Sequence, residues 1–288
     1  MRRGFTLLEM IFVIVIFGIM SKFGVEILYK IYENYVYSNT YNRLLNQSES
    51  AVKQISNRLQ YRIKDSTISR NAIGGTIEPV GSNSGDENVL EWIGADIDGW
   101  KGRTSAVPQW SGFIDLEAST STLLSSPGTS SVPTTLGNPA LFFIGSNVDL
   151  NASAFGWDLT APMTSQLNNM HIVTSPAANQ LQPAVGGNFD FVDVYEYYQL
   201  AESAFAVSAE PTTCQNSALV VNDLVLYYDY QPWNGTRAQD GQSSLIMENV
   251  KSFKFTSMGD IMVIQVCVSD CNITGLGEYA VCKEKVVF

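Results

Sequence analysis

Apolar side chains fill the first part of the chain almost without interruption. Between Phe5 and Gly24 the only strongly polar side chains are those of Glu9 and Lys22. Twenty residues of α-helix rise by about 1.5 Å each and so extend roughly 30 Å, which matches the hydrocarbon core of a bilayer. The pattern predicts a membrane-spanning helix over residues 5–24.

Beyond Gly24 the pattern becomes amphipathic. After Leu45 the apolar residues Val52, Ile55, Leu59 and Ile63 follow at spacings of seven, three, four and four, which lie on one face of a helix. No proline occurs before Ile77, so nothing interrupts the helix. We therefore expect the helix to continue to about Asp65, with residues 25–66 packed on a globular head.

The composition changes after Asp65. Residues 74–90 and 118–140 are rich in glycine, serine, threonine, proline and asparagine, which is typical of loops. Short runs of β-branched and aromatic residues predict strands near 88–93, 110–116, 140–144 and 189–195. Residues 67–210 are thus expected to form a loop- and β-rich region.

The last part of the chain has the clearest strand pattern. Runs at 218–230, 245–255, 261–268 and 279–288 are rich in β-branched and aromatic residues and are separated by turn residues. We expect residues 211–288 to form an antiparallel meander that closes on the long helix. The predicted fold class is α+β: a long N-terminal helix, half of it transmembrane, packed on an antiparallel sheet, with a large β-rich inserted region.

The four cysteines all lie in the last third of the chain. In an exported domain they are expected to form two disulfides, and four cysteines allow three connectivities. Adjacent predicted strands favour Cys267 with Cys282, which leaves Cys214 with Cys271. A zinc site is the alternative, although the C-x-x-x-C spacing has no second pair or histidine nearby.

A single carboxylate, that of Glu9, interrupts the apolar run. A charged group inside a membrane segment is costly and therefore indicates a function. Arg2 and Arg3 precede the run and are expected to keep this end in the cytoplasm. Residues 19–23 offer no small-residue cleavage site of the ordinary secretory kind, so the apolar helix is expected to be retained.

These residues together resemble the class III signal of type IV prepilins and type II secretion pseudopilins. The matching features are a short basic leader that ends at Gly4, the run Phe5-Thr6-Leu7-Leu8-Glu9, and the apolar stretch that follows. The resemblance implies a leader at 1–4, cleavage between Gly4 and Phe5 by the prepilin peptidase, and N-methylation of Phe5. It also implies that Glu9 pairs with the free amine of Phe5 on a neighbouring subunit, which gives each buried charge a partner.

The end of the chain carries a narrower resemblance, to J-type minor pseudopilins and PilW-like minor pilins. It consists of a tyrosine-rich strand, a glycine-bearing turn and the run from Asn249 to Phe255. Two features depart from that pattern. The stretch from about Ile73 to Glu210 is far longer than a J-type head needs, and Glu26 stands where many major pilins have a helix-bending proline. The resemblance implies a minor subunit in the tip or priming complex of a filament.

Other features of the sequence bear on nucleic-acid, nucleotide and metal binding. The net charge of −11 and the absence of a basic run beyond Arg2-Arg3 argue against nucleic-acid binding. The chain has no phosphate-binding glycine motif, and its single histidine, His171, lies in a loop-like context without a nucleophile motif nearby. Asp96 and Asp98 precede Gly99 and form a weak calcium candidate, although Asp-x-Asp-Gly is also an ordinary turn.

We therefore expect a structural, non-enzymatic subunit of a type IV pilus or pseudopilus. Its precursor is expected in the bacterial inner membrane with a periplasmic ectodomain, and the mature subunit in the filament or at the cell surface. The expected partners are the prepilin peptidase and other pilin subunits. An adhesin or ligand-binding module carried on a pilin stem is the alternative. A third hypothesis, an enzyme or a simple membrane-anchored protein, implies that Gly4 is not a cleavage site.

Overall fold

A computed structural model describes residues 6–81, 87–103, 105–148, 152–190, 192–214, 219–271 and 280–288. Its largest element is a single helix, α1 (Leu7–Leu59), of 53 residues, which extends roughly 80 Å. The helix ends at Leu59 rather than near Asp65 as predicted. The chain turns there because the N–H of Ile63 bonds the carbonyl of Ile93 at 2.8 Å and Arg62 forms a β-bridge with Gly94.

The rest of the described chain consists of strands, two-turn or shorter helices and loops. The strands are β1 (Ile68–Arg70), β2 (Ile77–Pro79), β3 (Val89–Ala95), β4 (Leu124–Ser125), β5 (Ala140–Phe143), β6 (His171–Thr174), β7 (Gln180–Pro183), β8 (Tyr198–Thr213), β9 (Val220–Tyr230), β10 (Gln242–Met258), β11 (Ile261–Ser269) and β12 (Ala280–Val287). A short helix, α2 (Ile97–Trp100), follows β3, and 3-10 turns occur at Lys64–Ser66, Ala152–Phe155, Pro232–Asn234 and Ala238–Asp240.

These strands form one antiparallel sheet of twelve strands. The order is β12-β11-β10-β9-β8-β5-β6-β7-β4, and β3, β1 and β2 extend in turn from β8. The last four strands follow one another as a meander, as the sequence predicted. The α+β class is therefore confirmed, with a long N-terminal helix packed against a large antiparallel sheet.

The second half of α1 packs against this sheet. Its buried residues begin at Leu44 and recur to Leu59, and the sheet residues that cover them come from β3, β8, β9, β10, β11 and β12. At the end of the helix, Arg62 donates from Nη2 to the carbonyl of Asp260, and Lys64 Nζ lies 3.1 Å from the Asp260 carboxylate. The turn between β10 and β11 thus binds the segment that directly follows α1.

The region expected as an insertion contributes most of two further apolar clusters. One contains Phe142, Phe155, Trp157 and Trp233, and the other contains Trp110, Phe143, Tyr198 and Leu200. The long strand β8 contributes residues to all three apolar clusters. It pairs with β5 and β3 along one edge and with β9 along the other. The expected boundary at 210/211 lies inside β8, and one sheet runs through both segments.

Two predicted strands differ from the structure, and β2, β4 and β6 lie in segments that were predicted as loops. Residues 110–116 form only isolated bridges, from Phe113 to Tyr197 and from Asp115 to Ser125, because Gly112 bends the chain at a φ of +74°. The described part of 189–195 is also outside the strands. Conversely, His171 lies in β6 rather than in a loop. It pairs with Leu141 of β5, and Val173 of the same strand pairs with Pro183 of β7.

Two disulfides hold the last strands. Cys267 and Cys282 lie opposite each other on β11 and β12, while Cys214 after β8 is joined to Cys271 after β11. This is the pairing that the strand positions favoured. All four sulfurs are used in these bonds, so they do not form the zinc site considered as the alternative.

Candidate assembly segment in the N-terminal helix

The first half of α1 has no protein partner in the described chain. Its large apolar side chains from Leu7 to Tyr35 are all exposed, including Leu7 at 81% and Phe17 at 71%. Within the described residues α1 is the one helix long and apolar enough to cross a membrane. A continuous apolar surface of this length is unfavourable in water, so lipid or other subunits must cover it.

A capping box fixes the start of this helix. Thr6 is the N-cap, and its backbone N–H and Oγ1 donate to Glu9 Oε2 at 3.0 and 2.9 Å. In return, the N–H of Glu9 donates to Thr6 Oγ1 at 3.4 Å. The Glu9 carboxylate is therefore held at the end of the helix, where the helix dipole favours a negative charge.

Glu9 has no cationic partner among the described residues. The ion pair next along the stem joins Glu26 to Lys30 at 3.5 Å and leaves Glu9 alone. When the apolar surface around it is covered, an ionised carboxylate needs a cation or strong donors. The described part of this chain supplies only the two Thr6 donors. A cation that neutralises Glu9 would therefore have to come from outside the described residues. Gly4 and Phe5, the other two predicted site residues, lie outside the described residues.

The two glycines of the exposed half of α1 do not interrupt the helix. Gly18 and Gly24 lie within continuous helix, and a Cβ added to either would meet nothing within 4 Å. Glu26, which replaces the proline of many major pilins in the resemblance, is also helical. The exposed half of α1, called the stem below, is therefore continuous with the half that packs on the sheet, and its glycines leave room for a neighbouring helix to approach closely.

The calcium candidate has other partners. Asp96 caps α2, since its Oδ1 accepts from Gly99 N at 2.9 Å and its Oδ2 accepts from Trp110 Nε1 at 3.1 Å. Asp98 instead pairs with Arg103 at 3.0 Å. Throughout the part of the chain that the structure describes, no three histidine, cysteine or carboxylate side chains are grouped to hold a metal. The Asp-x-Asp-Gly sequence here forms a helix cap.

His171 is a core residue. It is 5% exposed and its ring lies 5.1 Å from that of Phe143. Burial lowers the pKa of His171 to about 4, with a smaller opposing effect from a hydrogen bond to the backbone of Gln166. The imidazole is therefore neutral at ordinary pH and packs in the core beside an aromatic ring.

The role of Thr6 was missed in the sequence. The Thr-x-x-Glu spacing of residues 6–9 is the pattern of a capping box and could have identified it before the structure. The resemblance to prepilins instead assigned Glu9 only a partner on a neighbouring subunit, the Phe5 amine. The structure shows that the two residues act as one unit at the helix start.

Comparison with known proteins gives one match. The family model for the prokaryotic N-terminal methylation motif matches residues 1–21, which contain Gly4, Phe5 and Glu9. No curated protein and no solved structure matches the chain. The matched segment includes the start of α1, and the rest of the exposed apolar half follows it without a break. The N-terminal segment therefore carries a prokaryotic N-terminal methylation motif, the class III signal that type IV pilins and pseudopilins share.

Proposed function

We propose that this protein is a structural minor pilin or pseudopilin that joins a filament through the first half of α1. One observation carries the proposal: the methylation motif at residues 1–21 continues without a break into an exposed apolar helix. The second half of the same helix is buried in the head. In a subunit of this kind the apolar half of α1 spans the membrane before assembly. It then packs with the same segments of other subunits in the filament.

Glu9 supplies the specific contact in this assembly. Cleavage after Gly4 creates a new amine at Phe5, one residue before the cap formed by Thr6. The Glu9 carboxylate of one subunit then neutralises the Phe5 amine of the next, within a bundle that excludes water. Each subunit contributes one charge of each sign, so the contact repeats along a filament and also fixes the axial position of each stem.

The location follows from the same features. The precursor lies in the inner membrane with Arg2 and Arg3 in the cytoplasm and the head in the periplasm. The two disulfides support this orientation, because such bonds persist in oxidising compartments. The prepilin peptidase and other pilin subunits are the partners, and the mature protein belongs to a pilus or pseudopilus.

A position at the filament tip suits the size of the head. Residues 67–210 supply most of two further apolar clusters beside the sheet that packs on α1. A head enlarged in this way is difficult to repeat at every step along a densely packed filament, whereas a tip or priming complex needs each subunit once. This supports a minor role, with the enlarged head at the outer end of the filament.

Processing provides the direct test. Gly4→Leu is expected to leave a precursor that starts at Met1 in the membrane fraction, whereas the wild-type protein yields a peptide that starts at methylated Phe5. Gly18→Ala is the matched control, because a Cβ at that position meets nothing within 4 Å. Mass spectrometry of the N-terminal peptide in sheared filaments and in envelopes gives the result. A wild-type protein that retains residues 1–4 would contradict the proposal.

A further inference from the structure

The tyrosines of the stem begin where its exposed aliphatic residues end. Residues 1–28 contain no tyrosine and no tryptophan, whereas residues 29–41 contain five tyrosines. The first three are Tyr29, Tyr32 and Tyr35, with exposed fractions of 61%, 67% and 67%. The last large aliphatic side chain that α1 exposes is that of Ile31, at 58%. The aliphatic run and the tyrosines therefore overlap within about one helical turn.

The position of these tyrosines coincides with the expected edge of a bilayer. The described apolar run begins at Leu7, and twenty residues of helix cross a hydrocarbon core of roughly 30 Å. The outer edge of the core is then near Ile27, and a headgroup layer of about 5–7 Å covers roughly the next four or five residues. Tyr29 and Tyr32 fall inside that layer. Side chains on a helix lean toward its N-terminus, so the ring of Tyr35 reaches back to the same layer.

The charged residues nearby fit this boundary. Glu26 pairs with Lys30 at 3.5 Å along the helix, so the pair extends from the edge of the core into the headgroup layer. Lys22 lies roughly 7 Å inside that edge, and a lysine stem can follow apolar surface while its ammonium group reaches the interface. No charged residue lies between Glu9 and Lys22, so the segment assigned to the core is free of charge over most of its length.

Tyrosine has the chemical groups that a headgroup layer favours over both oil and water. Its ring is apolar and its hydroxyl makes hydrogen bonds, which is why tyrosine is enriched at membrane interfaces. Successive tyrosines here are three residues apart and so turn by about 60° around the helix. The three rings thus spread over roughly a third of its circumference, which is wider than the seam through which two helices pack. This distribution favours lipid over a neighbouring helix as the partner.

We propose that Tyr29, Tyr32 and Tyr35, called the tyrosine belt here, bind the periplasmic headgroup layer of the inner membrane and set the depth of the stem before assembly. Because the stem must first lie in a bilayer, this depth rests on the membrane-inserted precursor of the proposed function. Movement in either direction takes the rings into water or the hydroxyls into the hydrocarbon core, and both are unfavourable. The outer end of the span then lies near Leu28 rather than at Gly24, where the sequence pattern placed it.

The tyrosine belt also determines how far the head lies from the membrane. The buried part of α1 begins at Leu44, nine residues and roughly 14 Å beyond Tyr35. The packed part of the helix is therefore separated from the headgroups by more than two turns of exposed helix.

Tryptophan reporters measure the depth of the stem. The full-length protein is reconstituted at low protein-to-lipid ratio in phosphatidylcholine vesicles whose acyl chains carry bromine, a fluorescence quencher, at one chosen position. The signal of the wild-type protein is subtracted, because the native tryptophans begin at Trp92, in the head. Tyr32→Trp should be quenched most by bromines nearest the headgroup, and Phe17→Trp, roughly 15 Å from Leu7, most by bromines at the chain ends. Quenching of Tyr32→Trp mainly from the chain ends, or from no position, would overturn the proposal.

A matched pair of variants tests whether the tyrosine belt sets this depth. Tyr29→Leu with Tyr32→Leu, made together with Phe17→Trp, lengthens the aliphatic run by about four residues. The centre of the run moves by about two residues, so the reporter should move roughly 3 Å from the bilayer midplane. Tyr37→Leu with Tyr41→Leu makes the same change on the same helix outside the layer and should move the reporter by less than about 1 Å. Equal movement with both pairs, or none with the first, would contradict the proposal.

Two further outcomes separate the headgroup layer from other partners. If no brominated lipid quenches Phe17→Trp, the stem does not enter the bilayer, and this proposal fails together with the proposed function. If Phe17→Trp is quenched but Tyr32→Trp is quenched only after dilution with further lipid, a neighbouring stem covers the tyrosines. In that case the tyrosine belt is disproved while the membrane-inserted precursor stands.

Discussion

Arg70 and Glu91 form an ion pair inside the head, with Nε of the arginine 2.9 Å from Oε2 of the glutamate. Both side chains are nearly inaccessible to water, at 8% and 3% exposure. The other guanidinium nitrogens donate to the carbonyls of Gly75 and Trp157 at 2.8 and 2.9 Å. One arginine thus joins β1, β3 and two loops of the enlarged head.

Loss of this arginine should strongly destabilise the head. Arg70→Met leaves the Glu91 carboxylate buried without its partner, and breaking such a pair costs about 3–5 kcal/mol. Arg103→Met is the matched control, because its pair with Asp98 is more than 60% exposed on both sides and pairs of that kind contribute about 0–1 kcal/mol. Urea unfolding followed by tryptophan fluorescence in detergent measures both. Similar losses for the two variants would contradict a structural role for the buried pair.

The two disulfides should contribute unequally to stability. Cys214–Cys271 closes a separation of 57 residues and Cys267–Cys282 one of 15, and the longer loop restricts the unfolded chain more. Loop-closure entropy gives about 3 kcal/mol for the shorter loop and about 1 kcal/mol more for the longer one. Thermal unfolding of the two double-alanine variants tests this order. A larger loss from the Cys267 and Cys282 variant would show that strand contacts outweigh chain entropy.

His171 should make the stability of the head depend on pH. Its pKa is about 4 in the folded protein because of burial, while an unfolded histidine titrates near 6.5. The unfolded state therefore takes up the proton first, and stability is lost as the pH falls from about 6.5 toward 4. The expected loss is about 3 kcal/mol.

A His171→Gln variant isolates that effect, since the chain has no other histidine. The difference in unfolding free energy between pH 7 and pH 4 should be about 3 kcal/mol smaller in the variant than in the wild-type protein, because carboxylates contribute equally to both. Urea titrations at the two pH values provide the comparison. Equal pH dependence in the two proteins would mean that the pKa of His171 is the same in the folded and unfolded states, which would contradict the effect of burial.

The sequence predicted the elements whose pattern is set locally. The period of the apolar residues predicted α1, and the β-branched runs predicted the meander from β9 to β12. The enlarged head was harder to predict, because its segments are defined by distant partners. Residues 110–116 contain strand-forming side chains, yet their backbone bonds go to Glu196 and Ser125, which nothing in the local pattern indicates.

The candidate sites divide in the same way. Glu9 was identified from its contrast with the apolar residues around it, and its capping partner Thr6 was visible in the spacing. The neighbouring positions of Phe113, Ile144 and Tyr197, in contrast, depend on three chain segments that come together only in the fold. The local pattern of Asp96 and Asp98 suggested calcium, whereas Trp110 and Arg103, the partners found in the structure, were not part of that pattern.

The charge of Glu9 should matter for assembly and not for the fold. Glu9→Gln keeps the size of the side chain and an oxygen that can accept from Thr6, but it cannot neutralise an amine. In an apolar bundle an unpaired amine is strongly unfavourable, so incorporation into filaments should fall at least about tenfold. The melting temperature of the head should not change, because the buried part of α1 begins at Leu44.

Glu26→Gln is the matched control for this variant, as an exposed glutamate on the same stem whose partner, Lys30, is on the same helix. Quantitative immunoblots of sheared filaments and of membranes give the incorporated fraction for each protein. Two outcomes are informative beyond the expected one. Wild-type incorporation of Glu9→Gln would show that the hydrogen bond to Thr6 is sufficient and that no charge pair forms. An equal loss in Glu26→Gln would instead show that assembly responds to the total charge of the stem, since only a specific pair distinguishes two carboxylates on one helix.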